Sequence, residues 1–222
     1  MIILIIVILV FLSGCAGGIE KDMWDNMSEY REVMLQGRSE GVYATLISGL
    51  REKDYKMDGV STEKIPFGVI TVDLVRGAIE EYSYNLFIGT EKYEGTFDIN
   101  PHNNTLIADI SKCVDANENV VLDIVGGDSK ISVKLKNVNL NWAMDARDCV
   151  KILLDKYKTQ IKSLYDKNNF NAEVYIKIID EWDEYGEEFF LYISVVAKDD
   201  RSISMLISPH TGDILASNII GF

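Results

Sequence analysis

His102 and His210 are the only histidines in this chain of 222 residues, and each follows a proline. Imidazole changes charge near neutral pH and ligates metals, so it is the first side chain to test for chemistry. Nucleophilic catalysis would need an orienting acid and a nucleophile held around one of them, and the sequence offers no such set. A metal shared by both would require the two segments to meet in space; the alternative is a pair of exposed turn residues. The densest acidic run, Asp180-Glu181-Trp182-Asp183-Glu184-Tyr185-Gly186-Glu187-Glu188, reads either as oxygen ligands for calcium or as a solvated hairpin tip. Asp115-x-Asn117-x-Asn119 starts like an EF-hand loop, but Val120 stands at the glycine position and Gly126 where the bidentate glutamate belongs. Gly126-Gly127 lacks the Lys-Ser/Thr of a phosphate loop, and there is no Cys-x-x-Cys. The reading is therefore no enzyme, no metal and no cofactor.

The histidines belong to a segment that occurs twice. Ile99-Asn100-Pro101-His102-Asn103-Asn104-Thr105-Leu106 is answered 108 residues later by Ile207-Ser208-Pro209-His210-Thr211-Gly212-Asp213-Ile214. A proline that presets φ, a polar pair, and then Asn104 or Gly212, the residue types that best tolerate positive φ, describe a tight turn between two strands. The turn motif is thus Pro101, His102 and Asn104 in one copy, and Pro209, His210, Thr211 and Gly212 in the other. The same offset pairs Tyr84 with Tyr192, Ile70 with Ile178, Leu74 with Trp182, Val42 with Val150 and Leu46 with Leu154. Apolar-for-apolar matches of this kind suggest a shared core pattern, hence an internal duplication.

The elements that would position these turns follow from hydrophobic period. Residues 16–23 read as a tether. Trp24, Met27, Tyr30 and Met34 suggest a helix, and Val42, Leu46 and Leu50 a second one over 41–53. Strands are expected at 65–73, 82–90, 93–100 and 105–110, and a hairpin at 120–125 and 131–138 around Gly126-Gly127-Asp128. Ala143, Ala146, Val150, Leu153, Leu154, Tyr157, Ile161 and Leu164 form a helical stripe that Asp145 or Asn141 could cap. Strands follow at 172–179, 188–197, 202–208 and 213–218. The expected fold class is α+β, with two tandem copies of one helix packed on an antiparallel β-meander. The boundaries are 15–40 for tether and N-terminal helix, 41–115 for the first copy, 116–140 for a linker hairpin and 141–222 for the second copy.

The chain begins with an uninterrupted apolar run over residues 2–12, followed by Leu12-Ser13-Gly14-Cys15. A run of that length ended by small residues reads as a secretory signal over 1–14. Its last four residues resemble the lipobox of prokaryotic lipoproteins. The resemblance implies cleavage before Cys15 and lipidation of its sulfur, with acyl chains (palmitate among the candidates) holding the protein on the outer side of the cell membrane. The first charge is Glu20, so the usual basic stretch is missing, and an uncleaved anchor is the rival reading. The net charge of −13 argues against nucleic acid, whose binding needs Lys and Arg. Cys113 and Cys149, one per half, could pair or remain thiols, Cys149 on the apolar face of the predicted helix. Asn26-Met27-Ser28 and Asn103-Asn104-Thr105 fit the glycosylation sequon.

The second copy, a helix and then a meander ending in Ser208-Pro209-His210-Thr211-Gly212-Asp213-Ile214-Leu215, resembles the PepSY domain of peptidase propeptides. Thr211-Gly212, the acidic residue after them and two aliphatics carry the match; Ser208 departs from the family's usual Asp. The first copy looks like a degenerate member, with Asn104 for the glycine and Thr105 in the acidic place. The resemblance implies a secreted or membrane-attached module that binds another protein, an extracytoplasmic partner or a peptidase that it inhibits or modulates. Trp182, flanked by acids near a strand end, is the expected partner contact. The alternative is a lipoprotein that binds a small ligand or metal.

Overall fold

The computed structural model describes residues 16–54, 56–74, 81–183 and 186–222, with side chains for all of these except 16–17 and 181–187. The chain divides into two compact units. The first gathers the residues up to Tyr30, Glu52–Glu63 and Trp142–Phe222; the second holds Arg31–Arg51 and Lys64–Asn141.

Among the described residues, the regular elements of the second unit are all strands. It contains most of β1 (Met27–Ser39) and β2 (Val42–Glu52), then β3 (Lys64–Leu74), β4 (Tyr82–Ile88), β5 (Glu91–Thr96), β6 (Asp98–Ile99), β7 (Leu106–Ile110), β8 (Val120–Gly126) and β9 (Ser129–Asn137). Hydrogen-bonded neighbours run in the order β5-β4-β8-β9-β1-β2-β3-β7-β6. Only Phe97 separates β5 from β6 along the chain, so the two ends of that order meet and the antiparallel sheet is nearly closed into a barrel. Phe97 helps the closure: its N–H donates to the Tyr82 carbonyl at 2.9 Å, and its ring lies 5.2 Å from that of Tyr84. Alternate residues point inward, as a strand period of two requires. Tyr84, Leu86 and Ile88 of β4, Leu106, Ala108 and Ile110 of β7, and Val120, Leu122 and Ile124 of β8 join one buried cluster.

The first unit combines two helices with an open sheet. Helix α1 (Ala16–Asp25) leads into the first residues of β1, and α2 (Ala146–Lys162) precedes a short hairpin of β10 (Tyr165–Asp166) and β11 (Asn169–Phe170). Then come β12 (Ala172–Asp183), β13 (Gly186–Ala197), β14 (Ser202–Ile207) and β15 (Ile214–Ile220). These four form an antiparallel meander, and β12 also pairs in parallel with β1, Met27 opposite Val174 and Tyr30 opposite Ile176. A capping box starts α2: the Asp145 carboxylate accepts from the Arg147 and Asp148 amides at 2.7 and 3.0 Å, and the Asp148 carboxylate from the Asp145 amide. Its buried stripe is Cys149, Val150, Leu153, Tyr157 and Ile161. At the far end Arg201 donates to the Ser163 carbonyl at 3.3 Å, satisfying a group the last turn leaves free.

The expected fold class is overturned. Strands make up 56% of the described residues and helices 13%, with only two helices among them, so the tandem helix-on-meander arrangement does not exist. The predicted helix over 41–53 is β2. Val42 and Leu46 are spaced by four, which is both one helical turn and two strand periods, and Ala44 between them is buried too. The predicted helix from Trp24 to Met34 ends at Asp25, while the expected tether 16–23 is part of α1. The hairpin at 120–138 is not a linker: β8 pairs with β4, and β9 with β1, inside the second unit.

Leu122 is fully buried in the closed sheet. Leu122→Ala should cost about 2–5 kcal/mol in urea unfolding through the cavity it leaves, whereas Lys158→Ala, on the exposed side of α2, should change stability by no more than about 0.5 kcal/mol.

Candidate functional site

The two proline–histidine turns have the same backbone. The Asn100 amide donates to the Thr105 carbonyl at 2.8 Å and the Ser208 amide to that of Asp213 at 2.9 Å; the Asn104 and Gly212 amides close the inner bonds to Asn100 and Ser208. Asn104 and Gly212 both take positive φ, 59° and 77°. Ile99 opposite Leu106 corresponds to Ile207 opposite Ile214. The surroundings differ. Pro101 is exposed, while Pro209 is buried and its carbonyl accepts from the Ala143 and Met144 amides, both at 3.1 Å, just before α2. A Cβ on Gly212 would come within 3.1 Å of Met144. The duplication is therefore a repeated corner and not a repeated domain.

His102 and His210 are both exposed, and among the described residues no group of three or more His, Cys, Asp or Glu side chains is placed to hold a metal. Cys15 lies outside the described residues. So does the side chain of Trp182, whose backbone sits in β12 opposite Glu187. Cys113 and Cys149 are free thiols. No helix among the described residues is long and apolar enough to cross a membrane.

The turn at 208–213 positions the feature of the first unit that is unsatisfied. It feeds β15, which ends the strand order β15-β14-β13-β12-β1 and so, among the described residues, has a partner strand on one side only. Residues 214–222, Ile-Leu-Ala-Ser-Asn-Ile-Ile-Gly-Phe, contain no charge and no proline. Leu215, Ile219, Ile220 and Phe222 are exposed. Edge strands of soluble proteins ordinarily carry lysine, proline or a bulge against unwanted pairing. Here lysine and proline are missing from the outermost strand, and the one irregularity is the register shift at Leu215. The face towards α2 is defined by Ser217, whose Oγ is met by Tyr157 Oη at 3.0 Å and Lys156 Nζ at 3.2 Å. Ile219, opposite buried Ile203, and Ile214, opposite buried Ile207, share that face; Ala216, Asn218 and Ile220 lie on the opposite one, and Leu215 is the extra residue at a register shift.

A second polar feature lies inside the same unit. Ser28 sits where the β1–β12 register shifts, and its hydroxyl lies 3.1 Å from Glu52 Oε1 and 3.0 Å from Glu173 Oε2. All three residues are buried. Glu173 also accepts the Gly59 amide at 2.9 Å, and Glu52 the Thr62 amide. The two carboxyls therefore tie Gly59 and Thr62 to the sheet through their backbone amides. Next to them, buried Glu29 pairs with Lys177 at 2.9 Å. Sequence reasoning missed this cluster. Ser28 read as part of a sequon, yet it is buried, and Asn26 Nδ2 is engaged by the Asp22 carbonyl at 2.8 Å.

An open cleft of about 320 Å³ beside α2 is lined by Ser163, Tyr165, Asp166, Lys198, Asp199 and Arg201. Its strongest cation is already held: Arg201 Nε lies 3.0 and 2.9 Å from the two Asp199 oxygens, and Nη1 reaches Ser163 Oγ at 3.1 Å. Burial, then the bond to the Asp22 carboxylate, pushes the Tyr165 hydroxyl well above its usual range.

Burial, and after it the Asp145 and Asp148 charges, pushes the Cys149 thiol up to about 12. The folded protein keeps this proton at a pH where an unfolded thiol, at about 8.5, has lost it. Stability should therefore fall as pH rises from about 8.5 towards 12; the drop in urea midpoint between pH 8 and pH 10 should shrink in Cys149→Ala. Glu173→Ala strands the Gly59 amide and leaves the Ser28 hydroxyl to Glu52 alone, and should cost about 1–3 kcal/mol in the same assay. Glu173→Gln, which keeps the shape and an acceptor oxygen, should cost less, and hydrogen exchange at Gly59 should accelerate in the alanine variant alone.

No family model, no curated protein and no solved structure matches this chain.

Proposed function

We propose that this protein is a membrane-anchored, extracytoplasmic protein-binding module whose docking element is the free edge of β15. The observation that carries this reading is an outermost strand of seven residues with no charge, no proline and a run of exposed apolar side chains. Such an edge offers main-chain hydrogen bonds to an extended segment, with side-chain pockets on alternate faces for selectivity. The Leu12-Ser13-Gly14-Cys15 sequence supports a lipid on Cys15 as the anchor. The likeness of 208–215 to the final hairpin of the PepSY domain supports a peptidase as one class of target. The net charge of −13 speaks against nucleic acid as a partner.

Two measurements test this. Mass spectrometry of the membrane-extracted protein should find a chain beginning at an acylated Cys15; an unmodified chain starting at Met1 removes the lipid anchor. A photo-crosslinking residue at Ile220 should yield protein adducts in intact cells that the same probe at Lys158, on the outer side of α2, does not. Equal adducts at both positions, or none at Ile220, overturn the docking edge.

A further inference from the structure

We propose that Glu173 carries a proton which it shares with Glu52 across the Ser28 hydroxyl, and that loss of this proton as pH rises releases Gly59 and Thr62 from the sheet.

The hydrogens can be counted. Ser28 Oγ lies 3.1 Å from Glu52 Oε1 and 3.0 Å from Glu173 Oε2. A hydroxyl has one hydrogen to donate, and an ionised carboxyl has none. Both contacts are hydrogen bonds only when one carboxyl is protonated and donates to Ser28 Oγ, while Ser28 donates to the other. The backbone amides say which. Glu52 Oε1 accepts the Thr62 amide as well as facing Ser28, so a bare oxygen serves both contacts. Glu173 divides its oxygens: Oε1 accepts the Gly59 amide at 2.9 Å, and Oε2 faces Ser28. That is the division of a protonated carboxyl, one oxygen accepting and the other donating. Donation therefore runs from Glu173 through Ser28 to Glu52.

Burial and charge agree. Glu173 and Ser28 are fully buried, and Glu52 nearly so. Among the described residues, no Lys, Arg or His forms an ion pair with either carboxyl. On β1 and β12 the neighbouring ionisable groups are Glu29, paired with Lys177 at 2.9 Å, and Tyr175, whose ring lies under Lys177. Arg51, beside Glu52 on β2, is held by Asp109 at 3.2 Å. Lys53, Asp54, Lys56, Asp58 and Glu63, between β2 and β3, are exposed, as is Lys198 at the end of β13. Two carboxylates buried together without a cation repel strongly, so such pairs keep one proton.

The consequence is mechanical. Gly59 has φ of 77°, and a Cβ there would collide with the Lys198 backbone, so the bond to Glu173 holds a closely docked residue. Deprotonation turns Glu173 Oε2 from donor to acceptor and sets two anions about one hydroxyl. Free glutamate titrates at about 4.3, so above about pH 5 the unfolded chain lacks this proton. A proton bound only by the folded state stabilises it at low pH, and that stabilisation is lost as pH rises.

The full chain in detergent, compared between pH 6 and pH 8, tests this. Wild type at pH 6 should show the infrared carbonyl stretch of a protonated carboxyl, absent from Glu173→Gln and from Glu52→Gln. Glutamine at position 173 accepts from Gly59 and donates to Ser28 as the protonated acid does, so Glu173→Gln fixes the bonded state. In wild type, exchange protection of the Gly59 amide, corrected for its intrinsic rate, should fall by up to about tenfold per pH unit. It should hold in Glu173→Gln, and at Leu122 in wild type. Should a glutamine variant fail to fold, the wild-type band and the wild-type Gly59 protection decide without it. A wild type lacking the band at pH 6 overturns the shared proton, as does a band that Glu173→Gln retains. Gly59 protection that stays level across this range in wild type, as in Glu173→Gln, overturns the release.

Discussion

Backbone N–H and C=O groups along the outer side of a strand must find partners, and the two units of this protein meet that requirement differently. In the second unit the requirement is met internally. The passage from β5 through Phe97 into β6 joins both ends of the strand order, so the sheet nearly closes. Its inward side chains then form a single apolar cluster that includes residues from β1 to β9. In the first unit the meander stops at β15, and one row of backbone groups faces outward. Closure in the second unit and an open edge in the first are the two ways this chain deals with that requirement.

The open sheet is anchored at its other end by polar bonds. Ser28 stands at the irregularity where β1 meets β12, a kind of bulge that re-aims side chains. It brings Glu52 and Glu173 together, and through them the amides of Gly59 and Thr62. These buried groups are paired throughout, which is the condition under which a polar cluster specifies a structure and does not weaken it. The consequence is a fixed inner end of the sheet, with the uncharged strand at the outer one.

Much of the local structure was legible in the sequence because it depends on short-range rules. The cap at Asp145, the stripe of α2, the hairpin at β8–β9 and both proline–histidine turns follow from backbone chemistry within a few residues. What was not legible depends on distant contacts. Val42 and Leu46 satisfy a helix and a strand equally, and only the neighbours β1 and β3 settle which forms. Glu173 sits between Ala172 and Val174, as a solvent-facing residue of a half-buried strand would; its burial comes from Ser28 and Gly59, far away in the chain. Glu52-Lys53-Asp54 looks like a hydrated run, yet its first member is buried. The matched offset of 108 residues proved faithful at the corners, where turn geometry dictates the residues. It failed at β2 and α2, where shared apolar spacing conceals different structures.

The unequal layout of the units along the chain bears on the order in which they mature. All of the second unit lies between Arg31 and Asn141, whereas the first needs its opening residues, the 52–63 segment and everything after Trp142. A polypeptide emerging from its amino end therefore holds the whole nearly closed sheet of the second unit while α1 still awaits the meander of the first. Within the first unit β15 follows every strand it is ordered with, so its open edge forms only after β14 is in place to pair with it.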